Sequence, residues 1–148
     1  MIHARDTTAQ GSPRGIGLSL PTIVLLAAIT AIRVPLHDLG IIREGGAAAA
    51  LLVFVPLAVW VGVVLRRRAP NPLLTLTVVG LAYGVMLAVI HQLLWGAAFG
   101  GNLEGVLDPG AEAAVFRVSA FFSSLVTGTM VGAAAGAVAW AIARLRRT

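Results

Sequence analysis

Five polar side chains that could do chemistry lie within, or at the ends of, long apolar stretches of the chain. They are Arg33, His37, Asp38, His91 and Gln92. Arginine, histidine and aspartate in such surroundings bind ions, hold polar solutes or pass protons. The sequence therefore predicts that these residues form a solute-binding site or line a pore.

Other chemistries have weaker signals in the sequence. His37 and His91 could ligate a metal or a haem, but no two histidines have the i, i+3 or i, i+4 spacing of a helical metal motif. Ser119 or Ser123 beside His91 could form a hydrolytic pair, but no nucleophile motif surrounds either serine. The sequence contains no cysteine and no phosphate-binding loop. We therefore expect no cofactor and no metal, and we favour a protein that is not an enzyme.

The composition places most of the chain in lipid. Of the 148 residues, 58% are hydrophobic and 11% are charged, whereas ordinary globular domains carry about 25% charged residues. A soluble fold of this length could not bury so much apolar surface, so lipid must solvate much of it. The net charge of +5 does not indicate nucleic acid as a partner, because the arginines stand at the ends of the apolar runs.

Four apolar runs predict an all-α polytopic membrane protein. The predicted spans are 18–36, 47–65, 73–95 and 118–143, between a polar tail at 1–17 and a basic end at 144–148. A run of the length of 47–65 extends about 28 Å as a helix, enough to cross the hydrocarbon core. Asp108 followed by Pro109 predicts that the last helix begins before its apolar part. A cleaved signal peptide is the alternative interpretation of the first run.

The distribution of charge predicts the orientation. The tail, the central turn at 66–72 and the C-terminus carry eight arginines and one acid, whereas the two other connections carry three arginines and five acids. Short arginine-rich loops stay in the cytoplasm. We therefore expect an up-down-up-down bundle in the cytoplasmic (inner) membrane, with both termini cytoplasmic. Trp60, Trp95 and Trp140 are expected at the lipid–water interface.

Small residues recur at four-residue spacing on two predicted helices. They include Gly80 and Gly84 on the third helix and Gly128, Gly132 and Gly136 on the last. Lipid provides little hydrophobic drive for helix association, so close backbone contact holds such helices together. These two faces should either pack against each other within one chain or form a subunit interface or pore lining.

The helical wheel relates the polar residues to these faces. His91 follows Gly80 by eleven residues, which places it about 20° away, toward protein rather than lipid. Arg33 has the same relation to Thr22. The predicted topology adds further residues to one outer-leaflet polar cluster: His37, Asp38, Glu44, Gln92 and Arg117. Alternatively, Arg33 and Arg117 extend to lipid headgroups, and His91 hydrogen-bonds a neighbouring helix.

Together these features predict a homo-oligomeric channel or transporter for a small solute or ion, with membrane lipids as its surroundings. One alternative is a non-transporting accessory or scaffold subunit that docks a membrane-protein partner through its small-residue faces. A second alternative is a haem- or metal-binding membrane protein. The acidic outer connections favour cations, whereas Arg33 and His91 favour anions or protons, so the charge of the solute is not predicted.

Overall fold

A computed structural model describes residues 15–42, 46–97 and 111–146. Its helices are α1 (Leu20–Ala31), α2 (Arg33–Asp38), α3 (Ala47–Arg66), α4 (Pro72–Leu93) and α5 (Ala111–Leu145). The described residues contain no strand. Four segments are long and apolar enough to cross a membrane, namely α1 with α2, α3, α4 and α5. The prediction of an all-α fold with four helices long and apolar enough to cross a membrane is confirmed for the described residues.

The orientation of the helices in the membrane, their complete up-down order and the cytoplasmic location of the termini stay predictions. The predicted start of the last helix at Asp108 and Pro109 lies outside the described residues. The same is true of Glu44 and Glu104, two of the acids assigned to the outer connections.

Large apolar side chains cover the outside of the helices. Phe54 on α3 and Val126 on α5 are both more than half exposed, and Leu93 at the end of α4 is 78% exposed. Monomeric soluble proteins rarely expose contiguous apolar patches of this kind, whereas lipid solvates such a surface favourably. The surface and the four long helices together fit a multi-pass membrane protein.

The first membrane segment is broken into α1 and α2 at Ile32. The backbone N–H of Ile32 still donates to the carbonyl of Ala28, at 3.2 Å. Pro35, three residues later, has no N–H to offer the carbonyl of Ala31, and its ring crowds that carbonyl. The short helix after the break, α2, carries Arg33, His37 and Asp38.

Trp60 is fully buried between helices, which corrects its expected position at the lipid interface. Its indole Nε1 donates to the backbone carbonyl of Leu26 on α1, at 2.8 Å. Its ring meets Tyr83 of α4 edge to face, with centroids 6.2 Å apart. Trp60 therefore joins three helices, because a buried indole N–H needs an acceptor and Leu26 supplies one.

The central turn uses an arginine where glycine is usual. The N–H of Arg68 donates to Leu65 and the N–H of Ala69 donates to Val64, at 3.2 and 3.1 Å, which is the bond pattern of a Schellman motif. Arg68 occupies the left-handed position of that motif, with φ 51°. This conformation costs a non-glycine residue about 1–2 kcal/mol. The turn is thus less stable than the same turn with glycine.

The chain before α1 is attached to the start of α4. Asn71 caps α4 by accepting a hydrogen bond from the N–H of Leu74, at 3.1 Å. One turn into the helix, the hydroxyl of Thr75 donates to the carbonyl of Ile16, at 2.5 Å. The segment before α1 and the central turn therefore meet at one end of the bundle, which we call the arginine end.

Helices α4 and α5 touch backbone to backbone. Five glycines form this contact: Gly80 and Gly84 on α4, and Gly128, Gly132 and Gly136 on α5. A Cβ atom on Gly128 would overlap the backbone of Gly84, and one on Gly136 would come within 2.8 Å of the carbonyl oxygen of Leu73. Residue 73 lies opposite 136 and residue 84 opposite 124, so this pair of helices runs antiparallel.

We expect Gly128→Ala to destabilise the fold, because its methyl group would have to occupy the space of the Gly84 backbone. Forced overpacking of this kind costs about 1–3 kcal/mol. The matched control is Gly62→Ala on α3, where a Cβ atom meets nothing within 4 Å. Unfolding of the purified protein by sodium dodecyl sulfate in mixed micelles measures the difference. Equal stabilities of the two variants would contradict the glycine contact.

The predicted orientation can be tested with single cysteines, since the natural chain contains none. A cysteine replacing exposed Ile41 should react with a membrane-impermeant maleimide on intact cells. A cysteine replacing Arg67 should react after permeabilisation and not before, because the positive-inside rule places the central turn in the cytoplasm. The reverse pattern would show that the orientation is wrong.

Candidate functional site

A polar cavity of about 520 Å³ lies between α2, α4 and α5, at the end of the bundle opposite the arginine end. Helix α2 contributes Arg33, Val34, His37 and Asp38, and α4 contributes Tyr83, Leu87 and His91. Helix α5 contributes Phe116, Ser119, Ala120, Ser123, Ser124 and Thr127. The four-residue spacing of the α4 and α5 residues keeps them on one face of each helix.

Asp38 places a deeply buried carboxylate in the cavity wall. Its side chain is 5% exposed. The Nδ1 of His37 donates to Oδ1 of Asp38, at 3.3 Å. Among the described residues, the other oxygen, Oδ2, accepts no hydrogen bond. The Nε2 of His91 lies 3.6 Å from Oδ2, which is too long for a hydrogen bond. One oxygen of a buried carboxylate therefore remains unsatisfied.

His91 connects Asp38 to helix α5. Its Nδ1 lies 3.4 Å from the hydroxyl of Ser124, and that hydroxyl donates its own proton to the carbonyl of Ala120, at 2.8 Å. Ser124 therefore acts as the acceptor, and Nδ1 of His91 carries the proton. In a neutral imidazole the proton on one nitrogen leaves the other as an acceptor.

In this arrangement Oδ2 of Asp38 faces Nε2 of His91, and each is a hydrogen-bond acceptor when His91 is neutral and protonated on Nδ1. With Nδ1 protonated, neutral His91 presents the lone pair of Nε2 to Oδ2 of Asp38, 3.6 Å away. Two acceptors at this distance repel each other unless a proton or a donor group stands between them. Protonation of His91 or a ligand with an N–H or O–H group would each give Oδ2 of Asp38 a donor.

Four of the five predicted site residues come together in this cavity. Arg33, His37, Asp38 and His91 line it, with Arg33 partly buried in its wall. Gln92 does not share their position. Its Nε2 donates to the backbone carbonyl of Arg117, at 3.0 Å, beside a groove lined by Phe121 and Phe122.

Arg117 also lies apart from the cluster in which the sequence placed it. Its guanidinium stacks on the ring of Trp95, 4.7 Å from the centroid. Arg144 stacks in the same way on Trp140, at 4.1 Å, near the arginine end. Each arginine holds an aromatic ring through a cation–π contact near the end of a helix.

Sequence reasoning missed Tyr83 as a site residue. Tyr83, Leu87 and His91 follow each other at four-residue spacing, so they share one face of α4, and Tyr83 is the only tyrosine of the chain. This spacing is the signal that could have identified it. Ser123 and Thr127 have the same relation on α5, and both are exposed to the cavity rather than buried.

A carboxylate, an imidazole and a hydroxyl lie side by side as in a hydrolytic triad, in the spatial order Asp38, His91, Ser124. Their geometry does not support hydrolysis. The Ser124 hydroxyl is buried and donates to its own helix instead of to His91. The His91 contacts to Asp38 and Ser124, at 3.6 and 3.4 Å, exceed the 2.6–3.2 Å expected between a nucleophile and its base.

Metal binding has no further support in the part of the chain that the structure describes. No group of three histidine, cysteine, aspartate or glutamate residues there could hold a metal ion. The arrangement is suited instead to hydrogen bonding and to the exchange of protons, since it combines a buried carboxylate with two imidazoles and several hydroxyls.

Comparison with protein-family models, with curated proteins and with solved structures found no match for this chain.

We expect the cavity to be accessible to water although it lies at membrane depth. A cysteine replacing Ser123 should react with a small water-soluble thiosulfonate, because Ser123 is exposed toward the cavity. The matched control is a cysteine replacing Val126, which is exposed on the apolar surface of the same helix. In liposomes the Val126 variant should stay unreactive, since lipid excludes the reagent. Equal reactivity at the two positions would refute a water-accessible cavity.

Proposed function

We propose that this protein is a small membrane transporter or channel whose polar cavity binds a solute that donates hydrogen bonds. The observation that carries this proposal is the buried carboxylate of Asp38, whose Oδ2 accepts no hydrogen bond among the described residues. A buried unsatisfied polar group costs about 1–3 kcal/mol, and more when it is charged. A protein that retains such a group gains from it when a ligand binds.

The residues around Asp38 define the chemistry of the solute. An N–H group, cationic or neutral, would donate to Oδ2 of Asp38. Arg33, in the same wall, offers donors to an acceptor or an anionic group of the same molecule. A volume of about 520 Å³ exceeds that of a single ion and falls in the range of small-molecule pockets. A small cationic or zwitterionic organic solute fits these features best.

The site accounts for binding but does not by itself form a path across the membrane. Next to the cavity, the glycine contact brings α4 and α5 into direct backbone contact. A solute cannot pass between two backbones packed so closely. Transport would therefore require α4 and α5 to separate, or a path formed between copies of the chain in the predicted homo-oligomer.

The location of the cavity supports access from outside the cell. The central turn with its three arginines lies at the other end of α4, and the positive-inside rule assigns that end to the cytoplasm. The cavity then opens toward the outer leaflet. The haem alternative is less favoured, because His37 and His91 both face one carboxylate and a bis-histidine haem needs its ligands on opposite faces of the ring.

The proposal predicts a flux that depends on Asp38. Liposomes that contain the protein should take up at least one of guanidinium (a cation) and glycine (a zwitterion) faster than acetate (an anion). Asp38→Asn should lower this uptake about 10- to 100-fold, since a hydrogen bond to a charged group contributes about 1.5–3 kcal/mol. His91→Ala should lower it as well, because it removes the imidazole whose Nε2 lies 3.6 Å from Oδ2 of Asp38.

The matched control is Gln92→Ala, one residue beyond His91, because Gln92 lies outside the cavity. This variant should retain the uptake of the unmodified protein. Absence of flux for all three solutes would favour the accessory-subunit alternative. Equal losses in Asp38→Asn and Gln92→Ala would refute the role assigned to the cavity.

A further inference from the structure

A second cavity lies at the arginine end of the bundle, where the central turn meets the end of α5. It has a volume of about 380 Å³. Arg68 of the turn and Arg146 at the end of α5 line it, together with Val64, Pro72 and Ala143. The cavity therefore combines two positive charges with an apolar wall that continues into the membrane-crossing part of the helices.

The two arginines have no acidic partner within the part of the chain that the structure describes. The Asp38 contacts with His37 and His91 lie at the far end of the bundle. Both side chains are exposed. Two guanidinium groups in one concave site repel each other and attract an anion. Guanidinium groups match phosphate oxygens in a bidentate manner, which makes phosphate the preferred anion.

The backbone at Arg68 gives an independent reason to assign its side chain a role. Arg68 occupies the left-handed position of the Schellman motif, where glycine would be more stable. An arginine in this position is unfavourable for the fold, so its presence points to an interaction made by the side chain. Arg67 differs in this respect, because its backbone has the ordinary helical conformation, with φ −76°.

We propose that Arg68 and Arg146 bind a phosphate group, as carried by the headgroup of an anionic phospholipid. The site lies at the end of the bundle that the positive-inside rule assigns to the cytoplasm, where lipid phosphates are expected. Basic pockets between helices on that side bind anionic headgroups. The apolar wall formed by Val64 and Ala143 would contact the first part of the acyl chains. The site does not depend on transport through the polar cavity.

The test uses the full-length protein purified in a neutral detergent. Phosphatidylglycerol, phosphatidylcholine with the same acyl chains and inorganic phosphate are added separately. Native mass spectrometry measures bound lipid, and thermal unfolding measures Tm. Phosphatidylglycerol should bind and raise Tm, whereas phosphatidylcholine should not. A comparable rise in Tm with inorganic phosphate would identify free phosphate as the ligand. No response to either phosphatidylglycerol or inorganic phosphate would overturn the proposal.

The informative variant is Arg68→Gly. It removes the guanidinium but relieves the left-handed backbone, so without lipid its Tm should equal or exceed that of the unmodified protein. Its affinity for phosphatidylglycerol should fall at least tenfold, and Arg68→Gln and Arg146→Gln should show the same loss. The matched control Arg67→Gln removes a neighbouring charge outside the cavity and should change the affinity less than twofold. An equal loss in Arg67→Gln and Arg68→Gln would show that general charge, and not this site, attracts the lipid.

Discussion

The direct backbone contact between α4 and α5 determines where the other parts of this molecule lie. In lipid, apolar side chains gain little by leaving their surroundings, so two helices stay together when their backbones come close enough for dense van der Waals contact. Glycines on both helices permit this approach, since a Cβ atom at Gly80 or Gly128 would overlap the opposite backbone. The same contact sets the register that brings His91 beside Ser124 at one end. At the other end it brings Gly136 over Leu73.

Specific polar contacts attach the remaining helices to this pair. The indole of Trp60 on α3 bonds a carbonyl of α1 while its ring meets Tyr83 of α4. On α2, Asp38 approaches His91 of α4. In a membrane the Trp60 bond also satisfies an indole N–H that would otherwise lack an acceptor. The polar contacts near the cavity leave one acceptor of Asp38 unsatisfied, and there the molecule differs from a simple helix bundle.

Much of the fold could be predicted from the sequence, because hydropathy and glycine spacing are local properties. Four apolar runs are enough to predict four membrane helices, and glycines at four-residue spacing mark the faces of closest approach. The position of His91 on the protein side followed from its eleven-residue distance from Gly80, since a helical wheel needs no tertiary information. The grouping of Arg33, His37 and Asp38 followed from their closeness in the chain.

The missed features depend on partners that are distant in sequence. Trp60 was expected at the interface because it precedes the arginines, but a carbonyl on α1 accepts its N–H, and no pattern around residue 60 encodes that. Gln92 follows His91 directly, so it projects about 100° away on the helix and bonds Arg117 instead. The break before α2 had a local signal in Pro35, yet the uninterrupted hydropathy of the segment concealed it.

The length of α5 has a mechanical consequence. Its 35 residues extend about 52 Å as a helix, whereas the hydrocarbon core measures about 30 Å. A tilt of about 20° shortens its projection by only about 3 Å, so α5 is longer than the hydrocarbon core is thick and must extend into the headgroup region. A stiff rod transmits force along its length. Ser119, Ser123 and Thr127 of the cavity wall lie on the part of this rod that precedes the glycine contact, so a change in the tilt of α5 about that contact would change the width of the cavity.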